Sequence, residues 1–190
     1  MGGLDIFFDY FLRSSFITIF VLTWLSIYFI VSFTILISRL IGLKKWISDE
    51  QSALESFLMG SKVVPVNTIL KKCTSDKISK EKLNICISKA QKNSTSGLTW
   101  LSIIASTSPF IGLFGTVVSI LETFSKLGQS GGSISVIAPA ISEALVATGC
   151  GIFVAIPAYT FHLILKRKSY ELMYVINNEA DIILANSKED

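Results

Sequence analysis

SFITIFVLTWLSIYFIVSFTILIS, residues Ser15–Ser38, runs without a single ionisable side chain. It is long enough to cross a bilayer, which takes roughly 20 apolar residues at about 1.5 Å each. Its aromatic and β-branched residues suit a lipid-facing helix, and that makes the chain a membrane protein. A cleaved signal peptide is the rival assignment, but it needs a basic start, a shorter apolar core and a small-residue cleavage site. Asp5 and Asp9 precede the span and Arg13 is the one basic residue before it. The segment is therefore expected to stay as a transmembrane helix.

Two further segments, Leu98–Phe124 and Ile134–Leu165, reach the same length. The composition agrees: 51% of residues are hydrophobic and only 16% charged, too few charges for an ordinary soluble surface. Orientation follows from the excess of Lys and Arg on the cytoplasmic side. Eleven of the 17 lie between Arg39 and Lys92, and four more follow the third span. The expected fold is an all-α integral membrane protein with three transmembrane helices, N-terminus outside and C-terminus in the cytoplasm, with long helices extending into the cytoplasm. Its expected segments are an interfacial N-terminal helix (1–14), span one (15–38), a cytoplasmic helical segment (39–97), span two (98–124), a short outer link (125–133), span three (134–165) and a cytoplasmic C-terminal helix and tail (166–190). The net charge of +3 is a topology signal and gives no reason to invoke nucleic acid.

In the cytoplasmic segment, Ser48 and Gln51 fit a capping box before Leu54, Phe57 and Leu58. A second helix is expected from Pro65, and a third near Lys80–Lys92 with Leu83, Cys86, Ile87 and Ala90 on one side. Cys73, Cys86 and Cys150 are so placed that they build no disulfide framework. No metal-ligand spacing, phosphate loop or nucleophile with a base appears, so neither enzyme activity nor a cofactor is expected. Trp46, Trp100 and His162 are read as interfacial residues.

Small and hydroxylated residues recur along one face of span two: Ala105, Ser108, Gly112, Thr116 and Ser119. Span three repeats the pattern with Ala140, Ala144, Thr148, Gly151 and Ala155. Such stripes let helices approach closely, and their hydroxyls can bond to backbone, water or a polar partner. Ser108, Gly112, Ser119, Ala140, Ala144 and Gly151 are candidates for helix packing and partner contact. Glu143 precedes Thr148 by five residues, roughly 140° round the helix at about 100° per residue, and groups with Ala147, Cys150 and Val154. A carboxylate deep in a bilayer costs about 2.5–3.5 kcal/mol on insertion scales, so it must be protonated, paired or beside water. Thr116, Thr148 and Glu143 are candidates for a polar pathway; the alternatives are a back-bond to a carbonyl one turn earlier for each threonine and a neutral, hydrogen-bonded packing role for Glu143.

SPFIGLFGTVVSILETF and VIAPAISEALVATGCGIFVAIPAYTFHLIL together closely resemble the signature of the TolQ/ExbB proton-channel proteins, distant relatives of MotA. The resemblance is strong from Ser108 to about Leu165 and rests on the LFGT run, the AP-x-I-x-EAL-x-AT run and the hairpin between them. It implies a bacterial inner-membrane protein with a periplasmic N-terminus. It further implies a pentameric homo-oligomer whose second and third spans line a pore around a TolR/ExbD-like single-span partner dimer. A partner aspartate then carries the proton past ring threonines at Thr116 and Thr148, with the family glutamate at Glu143, and a TolA/TonB-like protein transmits the work. Gly149, Cys150 and Gly151 depart from the more usual Ala-Ile-Gly. The short N-terminus and the tail YELMYVINNEADIIL favour a TolQ role in the Tol–Pal system over an ExbB role in TonB-dependent import. A passive membrane scaffold and a small-solute transporter are the competing classes; the transporter is weakened by the absence of internal symmetry.

Overall fold

The structure, a computed structural model, describes residues 16–59, 68–71, 79–130 and 134–186. Among them are four helices: α1 (Phe16–Leu58), α2 (Lys80–Ser94), α3 (Leu98–Ser130) and α4 (Ile134–Asn186), and no strand. Three stretches are long and apolar enough to cross a membrane, as the all-α reading expects. Helix is the forced choice for such sequences, because lipid offers no partner to backbone N–H and C=O groups and a helix satisfies them internally.

Two helices far exceed a bilayer. The 43 residues of α1 and 53 of α4 extend about 65 and about 80 Å, against a hydrocarbon core of about 30 Å. Much of each helix therefore projects beyond the apolar layer. The continuity of α1 overturns the capping box at Ser48. A cap needs a break in helical backbone, and between Ser38 and Leu58 no proline and only Gly42 interrupts the chain. The Ser52 hydroxyl instead donates to the Ser48 carbonyl one turn back, at 2.9 Å. The interfacial helix of residues 1–14 lies outside the described residues, and so does most of the helix expected from Pro65. Residues 126–130 of the link prolong α3.

α2 begins at Ser79, whose side chain accepts the Lys82 N–H at 3.2 Å as an N-cap. It buries Leu83 and Ala90. Cys86 on this helix is disulfide-bonded, a correction to the cysteine reading, which rests on compartment and spacing where geometry decides; Cys150 is a free thiol. The turn into α3 depends on Gly97, whose φ of +89° is left-handed and open to glycine at little cost.

The chain forms two compact units, Met1–Thr34 with Trp100–Phe161, and Ile35–Thr99 with His162–Asp190. The interior of the first is built from Val21, Leu25, Ile104, Ala147, Val154 and Ala158, while Phe20, Ile30, Phe110, Phe114, Leu121 and Phe153 lie exposed. Large apolar residues left on the outside are the pattern of a membrane bundle, where lipid is as apolar as leucine and close packing must bring helices together. The second unit has the opposite order: Leu43, Ile47, Phe57, Leu83, Leu172 and Ile176 are buried, as water-driven burial requires. Within it, the buried Ser94 and Ser169 hydroxyls bond at 2.7 Å, and the half-buried His162 Nδ1 meets the Leu98 carbonyl at 3.0 Å. Trp46, read as an interfacial anchor, belongs to this core as well: its indole N–H donates to Glu50 at 2.9 Å.

Candidate functional site: the seam between α3 and α4

The seam is set by two glycines. A Cβ built on Gly112 would stand 2.7 Å from the Ala147 carbonyl oxygen and 3.0 Å from the Thr148 Cα, and one on Gly151 would stand 2.6 Å from the Ser108 carbonyl oxygen. The two backbones touch there. Descending pairings, Ser108 with Gly151 and Gly112 with Thr148, make the helices antiparallel. Ser108 is fully buried and its hydroxyl donates back to the Ile104 carbonyl at 2.6 Å. Ser119 and Ala144 are also buried and Ala140 is half-buried.

Beside this crossing sit Thr116 and Thr148, both half-buried, with their hydroxyls in a short hydrogen bond. Each also reaches a carbonyl of the opposite helix: Thr116 Oγ1 donates to Ala144 O at 3.1 Å, and Thr148 Oγ1 to Gly112 O at 3.3 Å. Thr116 has a further acceptor in its own helix, Gly112 O at 3.2 Å. A hydroxyl carries one proton, so the pair cannot make all these bonds together. In one arrangement Thr148 donates to Thr116, which donates to Ala144; in the other Thr116 donates to Thr148, which donates to Gly112. Reversing the order needs only hydroxyl rotation and no backbone movement.

Glu143, one position before the buried Ala144, is half-buried. The flank read with Glu143, where a neighbouring helix or subunit is expected to pack, is buried: Ala147 (1% exposed) and Val154 (4%) are as deeply buried as Ala144 and share a core with Val21 and Leu25 of α1. The reason is that α4 packs on two helices at once. Ala147 meets both Gly112 and Gly115 of α3, while Val21 of α1 closes on Gly115 and Phe29 of α1 stacks on Phe153 at 5.8 Å. Gly115 is absent from the stripe read in the sequence, although its spacing from Gly112 is a usable signal. Among the described residues no group of three or more side chains gathers to hold a metal ion.

Residues 50–178 match the MotA/TolQ/ExbB proton channel family. An ExbB-like biopolymer transport protein of Helicobacter pylori, ExbB-like 1, is 44% identical over 184 residues, covering 95% of this chain and 97% of that protein. The biopolymer transport protein ExbB of Neisseria gonorrhoeae is 53% identical over 72 residues, 37% of this chain and 33% of its own. The Tol-Pal system protein TolQ of Pseudomonas aeruginosa is 40% identical over 77 residues, 40% of this chain and 33% of its own. With a family match across most of its length and a relative similar from end to end, the chain belongs to the MotA/TolQ/ExbB proton channel family.

Proposed function

We propose that this chain is the channel-forming subunit of an inner-membrane energiser, coupling proton flow to work at the cell envelope. The observation that carries this is the Thr116–Thr148 hydroxyl pair, which bridges α3 and α4 at their closest approach and can pass its donor direction from one carbonyl to the other. A conducting seam needs polar groups that reorganise cheaply, and hydroxyls between two carbonyls meet that need.

A passing proton also needs a titrating group. Apart from Glu143 no acid lies deep in spans two and three, so a single-span partner dimer of the TolR/ExbD kind supplies the main titrating carboxyl, and the chain itself assembles as a ring around it, pentameric in this reading. The subunit is a channel rather than an enzyme. Its Lys-rich segments face the cytoplasm, which puts the N-terminus in the periplasm. Glu143 lines the outer part of the route or ties neighbouring copies together. Comparing Glu143→Gln with Glu143→Ala in an energisation assay separates these roles: equal loss points to the carboxylate, and retention in Gln alone points to hydrogen bonding.

An ExbB-type role in energised import is supported by the ExbB-like relative that matches from end to end. A TolQ-type role in the Tol–Pal system is the second reading, favoured by the tail YELMYVINNEADIIL and by similarity to TolQ. Deleting the gene in its host decides between them. Lost growth on receptor-dependent iron complexes, with an intact envelope, marks the import role; leakage of periplasmic proteins with chained cells marks the other. A mutant with neither defect sinks the energiser reading.

A further inference from the structure

The core of the second unit holds two carboxyl groups. Glu50 on α1 and Glu179 on α4 are each 0% exposed, and they are the only buried ionisable side chains among the described residues. Each interrupts an apolar stripe, Ile47, Ala53 and Phe57 on α1 and Leu172, Ile176 and Ile183 on α4. Their donors are unequally shared. Glu50 Oε1 accepts the Trp46 indole N–H at 2.9 Å and the Ile69 backbone N–H at 3.1 Å. Glu50 Oε2 and both oxygens of Glu179 have no protein donor when the two groups are ionised.

Two carboxylates cannot be buried side by side with so few donors. One must hold a proton, and the donor pattern says which. Glu50 already accepts two N–H groups, whereas Glu179 has no N–H donor and faces Glu50. A proton on Glu179 turns an orphan oxygen into a donor and supplies the partner that Glu50 Oε2 lacks.

We propose that Glu179 stays protonated at cytoplasmic pH and donates to Glu50, forming a pH-sensitive latch between α1 and α4 that holds near neutrality and releases as the surroundings become alkaline. The latch stands whether or not the chain conducts protons. Among the described residues of the elements around the pair, α2 contributes Leu83, Ala90 and Ser94 to this core, Asp49 and Lys71 are partly exposed, Asp181 is exposed, and Glu171 is tied to Arg167 and Lys168. Burial first, and the Glu50 charge second, push the Glu179 carboxyl from an ordinary 4.5 up to about 9. For an acid whose folded value is raised, the stabilising contribution is complete below the unfolded value and is lost as pH climbs through the folded one. The window of loss therefore runs from about 4.5 to about 9.

The test uses the purified full chain in lipid nanodiscs. Infrared spectra near neutral pH should show a carboxylic-acid C=O band that disappears in Glu179→Gln, whose amide can still donate to Glu50. The melting midpoint of the wild type should fall between about pH 6 and about pH 9, and that of Glu179→Gln should stay level. If Glu179→Gln does not fold, Glu50→Gln serves: its amide offers Glu179 a donor and removes the neighbouring charge, so the pH at which the carboxylic-acid band disappears should move down, while burial still holds it above the ordinary carboxylate range. A band unchanged in the folded variant, or a wild-type midpoint as level as that of Glu179→Gln, overturns the proposal.

Discussion

Gly151→Ala is expected to prevent stable packing of α3 on α4, while Gly149→Ala, two residues away, leaves the fold intact or strengthens it. The added methyl at residue 151 would stand 2.6 Å from the Ser108 carbonyl oxygen and 3.1 Å from the Gly112 Cα. Those are backbone atoms, which no rotamer change can move aside, so the helices must separate. Overpacking a tight contact costs about 1–3 kcal/mol, and here separation also stretches the Thr116 and Thr148 bridges. At Gly149 a new Cβ meets nothing within 4 Å, and alanine gains about 1 kcal/mol over glycine in helix propensity. Yield of folded protein in mild detergent, with melting midpoints by fluorescence, checks the pair. Equal behaviour of the two variants would show that the helices do not cross at Gly151. Gly112→Ala should fail like Gly151→Ala, since its methyl would meet the Ala147 carbonyl oxygen at 2.7 Å.

Thr148→Val is expected to abolish energisation while leaving the subunit folded and assembled. Valine keeps the shape of threonine and removes one hydroxyl, so the structural loss is that of its hydrogen bonds, about 1 kcal/mol. The functional loss should be far larger. Without Thr148 Oγ1 the remaining hydroxyl of Thr116 keeps its carbonyl acceptors, Ala144 O and Gly112 O, but has no partner with which to reverse direction. Thr148→Ser restores a hydroxyl at the same place and should recover most activity. Growth that depends on energised transport, measured with assembly checked by native gel, separates the outcomes. Full activity in Thr148→Val would remove the pair from the mechanism; loss in both Val and Ser variants would show that the methyl group is needed as well as the hydroxyl.

Why one part of this molecule is readable in its sequence and another is not comes down to the solvent each part meets. The membrane spans announce themselves because lipid excludes charge, and a run as long and as free of ionisable groups as Ser15–Ser38 suits no aqueous surface. The stripes through Gly112 and Thr116, and through Ala144, Thr148 and Gly151, are visible because close approach requires small residues at helical spacing. What spacing cannot supply is the partner. Ala147 and Val154 fall on a flank when one helix is taken alone, whereas α4 packs on both α1 and α3. The Glu50–Glu179 pair escapes for the same reason. Each glutamate, taken singly, passes for a solvated position on an amphipathic helix, and only the fold brings both into one core. A carboxylate at the buried position of an apolar stripe, as Glu179 stands between Ile176 and Ile183, is the signal that the sequence does carry.

Whether protons cross by way of the Thr116–Thr148 seam is decided by flux. The chain would be purified with its single-span partner, reconstituted in vesicles enclosing a pH-sensitive dye, and given an acid-outside gradient. Acidification should be faster than in empty vesicles and should fall about tenfold or more in Thr148→Val, each tenfold step being about 1.4 kcal/mol of barrier. An intact Thr148→Val complex that conducts as fast as the wild type would contradict that route.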